Sequence, residues 1–227
     1  MQKTKNWRQI FIYIGLLGAI QFILLTVLAM WLYPGGTIHE PELESYSFFT
    51  NYFSDLGRTY TFDRTPNSLC HNLFKATLSI TGASLILFFI AIPGLFDAEA
   101  SKVCISIAAL FGIAAGLCYI AIGWVPWDVD YWNHVGYVRT GFLAFLGMTI
   151  FYSLAILFDL EYPNKYAYAF LIFGLILGVQ IVIMLFGPRA WRNEEALLLQ
   201  AVAQKVVVYA EILVMIYVVN GALKRAV

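Results

Sequence analysis

The residues able to do chemistry are few and cluster in two stretches. Residues 51–74, NYFSDLGRTYTFDRTPNSLCHNLF, carry Ser54, Asp55 and His71. Residues 123–142, GWVPWDVDYWNHVGYVRTGF, carry Asp128, Asp130, His134 and Arg139. Ser54 has the chemistry of a nucleophile, and a histidine or Asp55 that of its general base. His71, His134 and Asp55 would also suit a catalytic divalent metal that activates water, since two histidines and a carboxylate are a known zinc set. No HExxH spacing accompanies them. No cofactor is firmly indicated by these residues; a divalent metal is the possible one. The cysteines Cys70, Cys104 and Cys118 have no ligand spacing and read as packing residues.

A second set consists of ionisable groups inside apolar runs. Lys75, Arg139 and Lys205 each fall one to two turns from one end of their runs, and Glu211 falls near the middle of the last. A charge at such depth costs about 2.5–3.5 kcal/mol, so it pairs, turns inward or serves function. The three cations could snorkel to the interface. The alternative is a shared pocket for an anionic lipid headgroup, with at least two of them lining it. His71 and Lys75 share a helix face, as do Gln200, Gln204 and Glu211. His134 and Arg139 are about 140° apart on a helix, too far to aim at one narrow spot. His71 and His134 are expected to approach each other.

The elements that position these groups follow from composition. The chain is 61% hydrophobic and 12% charged, with zero formal net charge. A soluble domain carries about 25% charged residues. The deficit marks a membrane protein, and the charge gives no reason to expect a nucleic-acid partner. Six apolar runs, roughly 9–33, 70–93, 102–124, 133–158, 166–187 and 198–222, are each long enough to cross a bilayer. Proline and glycine punctuate the joints: Pro34-Gly35-Gly36, Pro93-Gly94, Pro126, Pro163 and Gly187-Pro188. The expectation is an all-α, six-transmembrane-helix bundle forming one domain over 1–227. The first run reads as a retained helix rather than a signal peptide, since it is too long for one and no small-x-small cleavage pattern follows.

Orientation follows from lysine and arginine. Placing both termini in the cytoplasm collects Lys3, Lys5, Arg8, Lys102, Lys165, Lys224 and Arg225 there, against Arg58, Arg64, Arg189 and Arg192 outside. All three histidines, His39 included, then lie outside, as does the 34–69 connector. That loop is long and aromatic, so it is expected to fold over the bundle. Gly57 is expected to supply a positive φ after Asp55, and Asp55 to bond backbone donors or a basic side chain.

The two stretches quoted above resemble the six-span damage-regulated autophagy modulator family, which includes the Golgi GPI-anchor lipid-remodelling factor. Ser54, Asp55, Gly57 and Pro66 resemble its Ser-Asp-x-Gly loop, and His134 and Gly136, one residue closer together here, its His-x-x-Gly start of helix four. Glu211 matches an acid in its last helix. A related prokaryotic six-span family of unknown function has a similar loop and histidine. The eukaryotic family's Pro-Pro-Glu run is reduced here to Pro66 after a longer insert. The resemblance implies a role in membrane-lipid handling, with lipid as the partner.

Three functions compete. The first is binding or handling of an anionic lipid headgroup in an outer cavity. The second is an intramembrane, metal-dependent or serine-based lipid hydrolase. The third is a small-solute transporter using Glu211 and Gln180, for which broken helices near mid-membrane are expected.

Overall fold

The structure is a computed structural model and describes residues 4–226. Of the basic residues used to orient the chain, Lys3 and the side chain of Lys5 lie outside the described set. Six long helices follow in order: α1 (Thr4–Leu32), α2 (Ser68–Ala91), α3 (Glu99–Trp124), α4 (Tyr131–Leu157), α5 (Lys165–Phe186) and α6 (Glu194–Arg225). All six are long and apolar enough to cross a membrane. This is the expected all-α bundle, and it points to an integral membrane protein. Helices are the form such runs must take, because lipid offers no partner to a free backbone N–H or C=O. Leu110 and Leu175, 70% and 73% exposed, show the apolar outer surface expected of a bundle set in a membrane.

Each helix packs on its neighbour in sequence, and α6 closes the ring on α1. Small residues set the closest approach. A Cβ added at Gly82 of α2 would lie 2.3 Å from the Gly116 carbonyl oxygen of α3. Polar side chains add bonds across helices, as where Gln21 of α1 donates to Thr81 Oγ1 of α2 at 2.6 Å. Helix ends are chemically marked. Asp130 caps α4 by accepting the Asn133 N–H at 3.2 Å, and Asn193 caps α6 by accepting that of Ala196 at 2.9 Å. Glu194 and Glu195 open α6 while Lys224 and Arg225 close it, each charge matched to the helix dipole.

The α1–α2 connector folds over one end of the bundle. It holds a short 3₁₀ turn, Phe53–Gly57, and an isolated bridge between Tyr60 and Pro66. Its entry depends on Gly35, at φ 128°, where an added Cβ would sit 1.9 Å from the Leu43 carbonyl oxygen. Gly35→Ala is therefore expected to destabilise the loop by at least about 1–3 kcal/mol. Faster cleavage between Phe48 and Pro66 in limited proteolysis would measure it; a rate equal to wild type would contradict it. Gly57 differs from expectation. The positive-φ glycines are Gly35 and Gly36, not Gly57. Gly57 is small for packing instead, since a Cβ there would lie 2.5 Å from the Phe74 ring.

Candidate functional site

The loop is docked by its own side chains and by those of the α3–α4 connector and α6. Asp55 is buried and accepts three bonds: from Asn51 Nδ2 at 2.9 Å, from the Tyr52 backbone N–H at 2.8 Å and from Trp127 Nε1 at 3.2 Å. Burial raises its pKa above the ordinary carboxylate value, and the Asn51 and Tyr52 bonds pull part of that back. Asp128 accepts the Thr59 N–H at 3.0 Å and its hydroxyl at 2.7 Å. Gln204 Oε1 of α6 accepts the Phe53 N–H at 2.9 Å. His39 Nε2 donates to the Ala190 carbonyl at 2.8 Å, tying the loop to the α5–α6 connector.

Two of the three cations are taken up by contacts within the protein rather than by a ligand pocket. Lys205 is 2% exposed, and its Nζ donates to the Asn51 carbonyl. The rings of Tyr46, Phe48 and Phe53 surround it at 5.5, 5.3 and 5.6 Å. Carbonyl and ring faces replace the carboxylate partner expected from its depth. Lys75 Nζ lies 3.5 Å above the Trp124 ring. Neither lines the cavity beneath the loop; of the three cations expected to share a pocket, at least two of them lining it, Arg139 alone is on its wall.

That cavity, of about 160 Å³, lies between the loop, α4, α5 and α6. Arg139, Arg189, His134, Gln180 and Ser54 are on its walls, with Trp127 and Trp191 at the sides. His134 and Arg139 both reach it despite their angular separation, because the α4 wall between them, Val135 and Val138, also belongs to the cavity. Among the described residues, no aspartate or glutamate lines it. Three of these lining residues each have a polar atom buried without a partner: His134 Nε2, Arg139 Nε and Gln180 Oε1. Such atoms are costly unless a ligand or water completes them. Ser54, Val138, Phe142 and Gln204 also line an adjoining apolar cleft of about 60 Å³, which Phe74, Leu78 and Tyr119 continue inward.

The histidines are held separately. His71 Nδ1 bonds the Gly57 carbonyl at 2.8 Å, and His134 Nδ1 bonds that of Val125 at 2.6 Å. A carbonyl only accepts, so Nδ1 carries a hydrogen in both, and in the neutral ring Nε2 holds the lone pair. Only His134 lines the cavity. Among the described residues, no three His, Cys, Asp or Glu side chains are grouped to hold a metal ion, the set His71, His134 and Asp55 included. Glu211 lies deeper and accepts the Tyr119 hydroxyl at 2.8 Å. Gln200 bonds the Ile183 and Pro188 carbonyls at 3.0 and 3.1 Å, securing the end of α5. Gln180 belongs to the loop-end cavity and Glu211 to a separate apolar crevice.

Sequence reasoning missed Arg189 as a site residue and gave Trp127 only an interfacial role. The signal for Arg189 was present in its place beside Pro188 and Trp191, at the end where the motif loops gather.

The fold and site define a six-helix membrane bundle with a loop-capped, cationic cavity at one end. No family model, curated protein or solved structure matches the chain.

Proposed function

We propose that this protein binds the headgroup of an anionic membrane lipid in the cavity beneath the 34–69 loop, with that face outside the cytoplasm. The observation that carries this reading is a cavity with Arg139 and Arg189 on its walls and no carboxylate among its described residues. Arginine suits phosphate because its guanidinium presents paired donors to two oxygens. The adjoining apolar cleft favours a lipid over a free phosphate, since it offers the start of a path for a chain. The motif resemblance to a lipid-remodelling family supports the same reading. The lysine and arginine distribution supports the orientation.

Arg139→Gln is expected to weaken phosphatidylglycerol binding by roughly tenfold or more, from loss of a charged hydrogen bond worth about 1.5–3 kcal/mol. Lys75→Gln is expected to leave it unchanged, because Lys75 rests on Trp124 away from the cavity. Native mass spectrometry from phosphatidylglycerol and phosphatidylcholine nanodiscs would measure both, with glycerol 3-phosphate as the soluble competitor. A folded Arg139→Gln protein with wild-type phosphatidylglycerol affinity would overturn the reading. Full displacement of lipid by glycerol 3-phosphate at equal concentration would assign the site to soluble phosphate instead.

A further inference from the structure

We propose that the same cavity performs acyl transfer, with Ser54 as nucleophile and His134 as general base, on the carboxylic ester of the bound lipid; this rests on the headgroup reading. Ser54 stands where the two cavities join, on the wall of both the cationic chamber and the apolar cleft. The ester of a glycerolipid occupies the corresponding boundary of its own molecule, between charged headgroup and hydrocarbon chain. A lipid with its phosphate toward Arg139 and Arg189 and its chain toward Phe74 and Leu78 would bring that ester to Ser54.

His134 has the features of a base prepared for this position. It is 4% exposed, and its Nδ1–H is tied to the Val125 carbonyl at 2.6 Å. That bond fixes both ring orientation and tautomer, leaving the lone pair on Nε2. Nε2 is buried without a partner, and His134 lines the cavity that Ser54 also lines. An orienting acceptor behind one ring nitrogen and a free lone pair on the other is the arrangement that nucleophilic catalysis requires. Gln204 adds a donor. Its Oε1 accepts the N–H of Phe53, the residue preceding Ser54, its Nε2 amide has no partner among the described residues, and the residue lines both cavities. A fixed amide donor beside the nucleophile is suited to the oxyanion of a tetrahedral intermediate.

The steps balance with water as the only co-reactant. Ser54 Oγ forms a bond to the ester carbon as its proton passes to His134 Nε2. The carbonyl electron pair moves onto oxygen, beside the Gln204 amide. The intermediate collapses, the bond from carbon to the glycerol oxygen breaks, and His134 returns its proton to that oxygen. The lysolipid leaves an acyl-Ser54. Water then attacks the acyl carbon, gives a proton to His134, and the Ser54 oxygen departs with that proton. The products are a fatty acid and a lysolipid.

The full chain in phosphatidylglycerol nanodiscs, treated with a fluorophosphonate probe, tests this. Mass spectrometry is expected to find the adduct on Ser54, and wild type to release fatty acid. Ser54→Ala should abolish both while keeping phosphatidylglycerol affinity. His134→Gln should slow labelling at least a hundredfold. Gln204→Ala should lower turnover with smaller effect on lipid affinity. An unlabelled Ser54 and no fatty acid from a wild-type protein that still binds phosphatidylglycerol would overturn acyl transfer and leave the binding reading standing. Fatty-acid release unaffected by Ser54→Ala would overturn the assignment of the nucleophile. A wild-type protein with no affinity for phosphatidylglycerol would bring down the headgroup reading and this one with it.

Discussion

Replacing Asp55 with alanine is expected to release the loop from the bundle and open residues 48–66 to protease. Three donors converge on this carboxylate, from Asn51, Tyr52 and Trp127. The alanine variant removes the acceptor of all three, and Asn51 Nδ2 keeps only its second bond, to the Gly36 carbonyl. Each buried donor left unmade costs about 1–3 kcal/mol, so a loss of about 3 kcal/mol or more in loop closure is expected. The Trp127 bond has the longest reach, because with the Asp128 bonds to Thr59 it ties the loop to the segment that leads to His134. Hydrogen exchange at Tyr52 and cleavage between Phe48 and Pro66 would measure the release. Exchange at the wild-type rate would show that the loop closes without this network. The pH dependence has a definite sign. Burial raises the folded-state pKa of Asp55 above its unfolded value. Its contribution to closure is therefore full below the unfolded value of about 3.9 and declines as pH rises through the folded one. Asp55→Asn should flatten that trend, while losing part of the network because its amide nitrogen faces donors.

The helices could be read from sequence because lipid leaves an apolar run one option. The run from 198 to 222 had to be a helix whatever it packed against, and α6 spans Glu194–Arg225. The boundaries were legible where proline and glycine ended a run, as at Pro126 and at Gly187-Pro188. Helix ends beyond the apolar runs were not, since Glu194 and Arg225 extend α6 through charges that satisfy its dipole rather than through hydropathy.

The candidate site was legible in residue type more than in placement. Ser54, His134 and Arg139 all line the cavity, and each was singled out by its chemistry. Lys205 was misplaced for a physical reason. Its partner is the Asn51 carbonyl, 154 positions away, and no local pattern announces that a loop will supply a carbonyl and three rings to a buried ammonium. Lys75 illustrates the same limit, since contact with Trp124 depends on how α2 and α3 are rotated against each other. Depth in the membrane identifies a charge that needs a partner. It does not say whether the partner is a ligand or the protein itself.

The opposite end of the bundle supplies the other large expected effect. Asp159, 5% exposed, and Arg225, 17% exposed, form an ion pair at 2.6 Å between the α4–α5 connector and the last turn of α6. Arg225 Nε also donates to the Leu95 carbonyl, so its guanidinium joins three parts of the chain. Phe96 and Tyr162 stack at 5.3 Å beside it. Asp159→Ala would strand a largely buried guanidinium, and breaking such a pair costs about 3–5 kcal/mol. Arg225→Met should cost a similar amount by stranding the carboxylate. The double variant Asp159→Leu, Arg225→Met should recover much of the loss, because apolar replacement removes both desolvation penalties together. Thermal unfolding in detergent would read all three, and the double-mutant cycle would give the coupling energy. A single-variant cost below about 1 kcal/mol would place the pair with exposed ion pairs of little consequence. Since the pair lies at the end away from the cavity, these variants should leave phosphatidylglycerol affinity unchanged at temperatures where they stay folded.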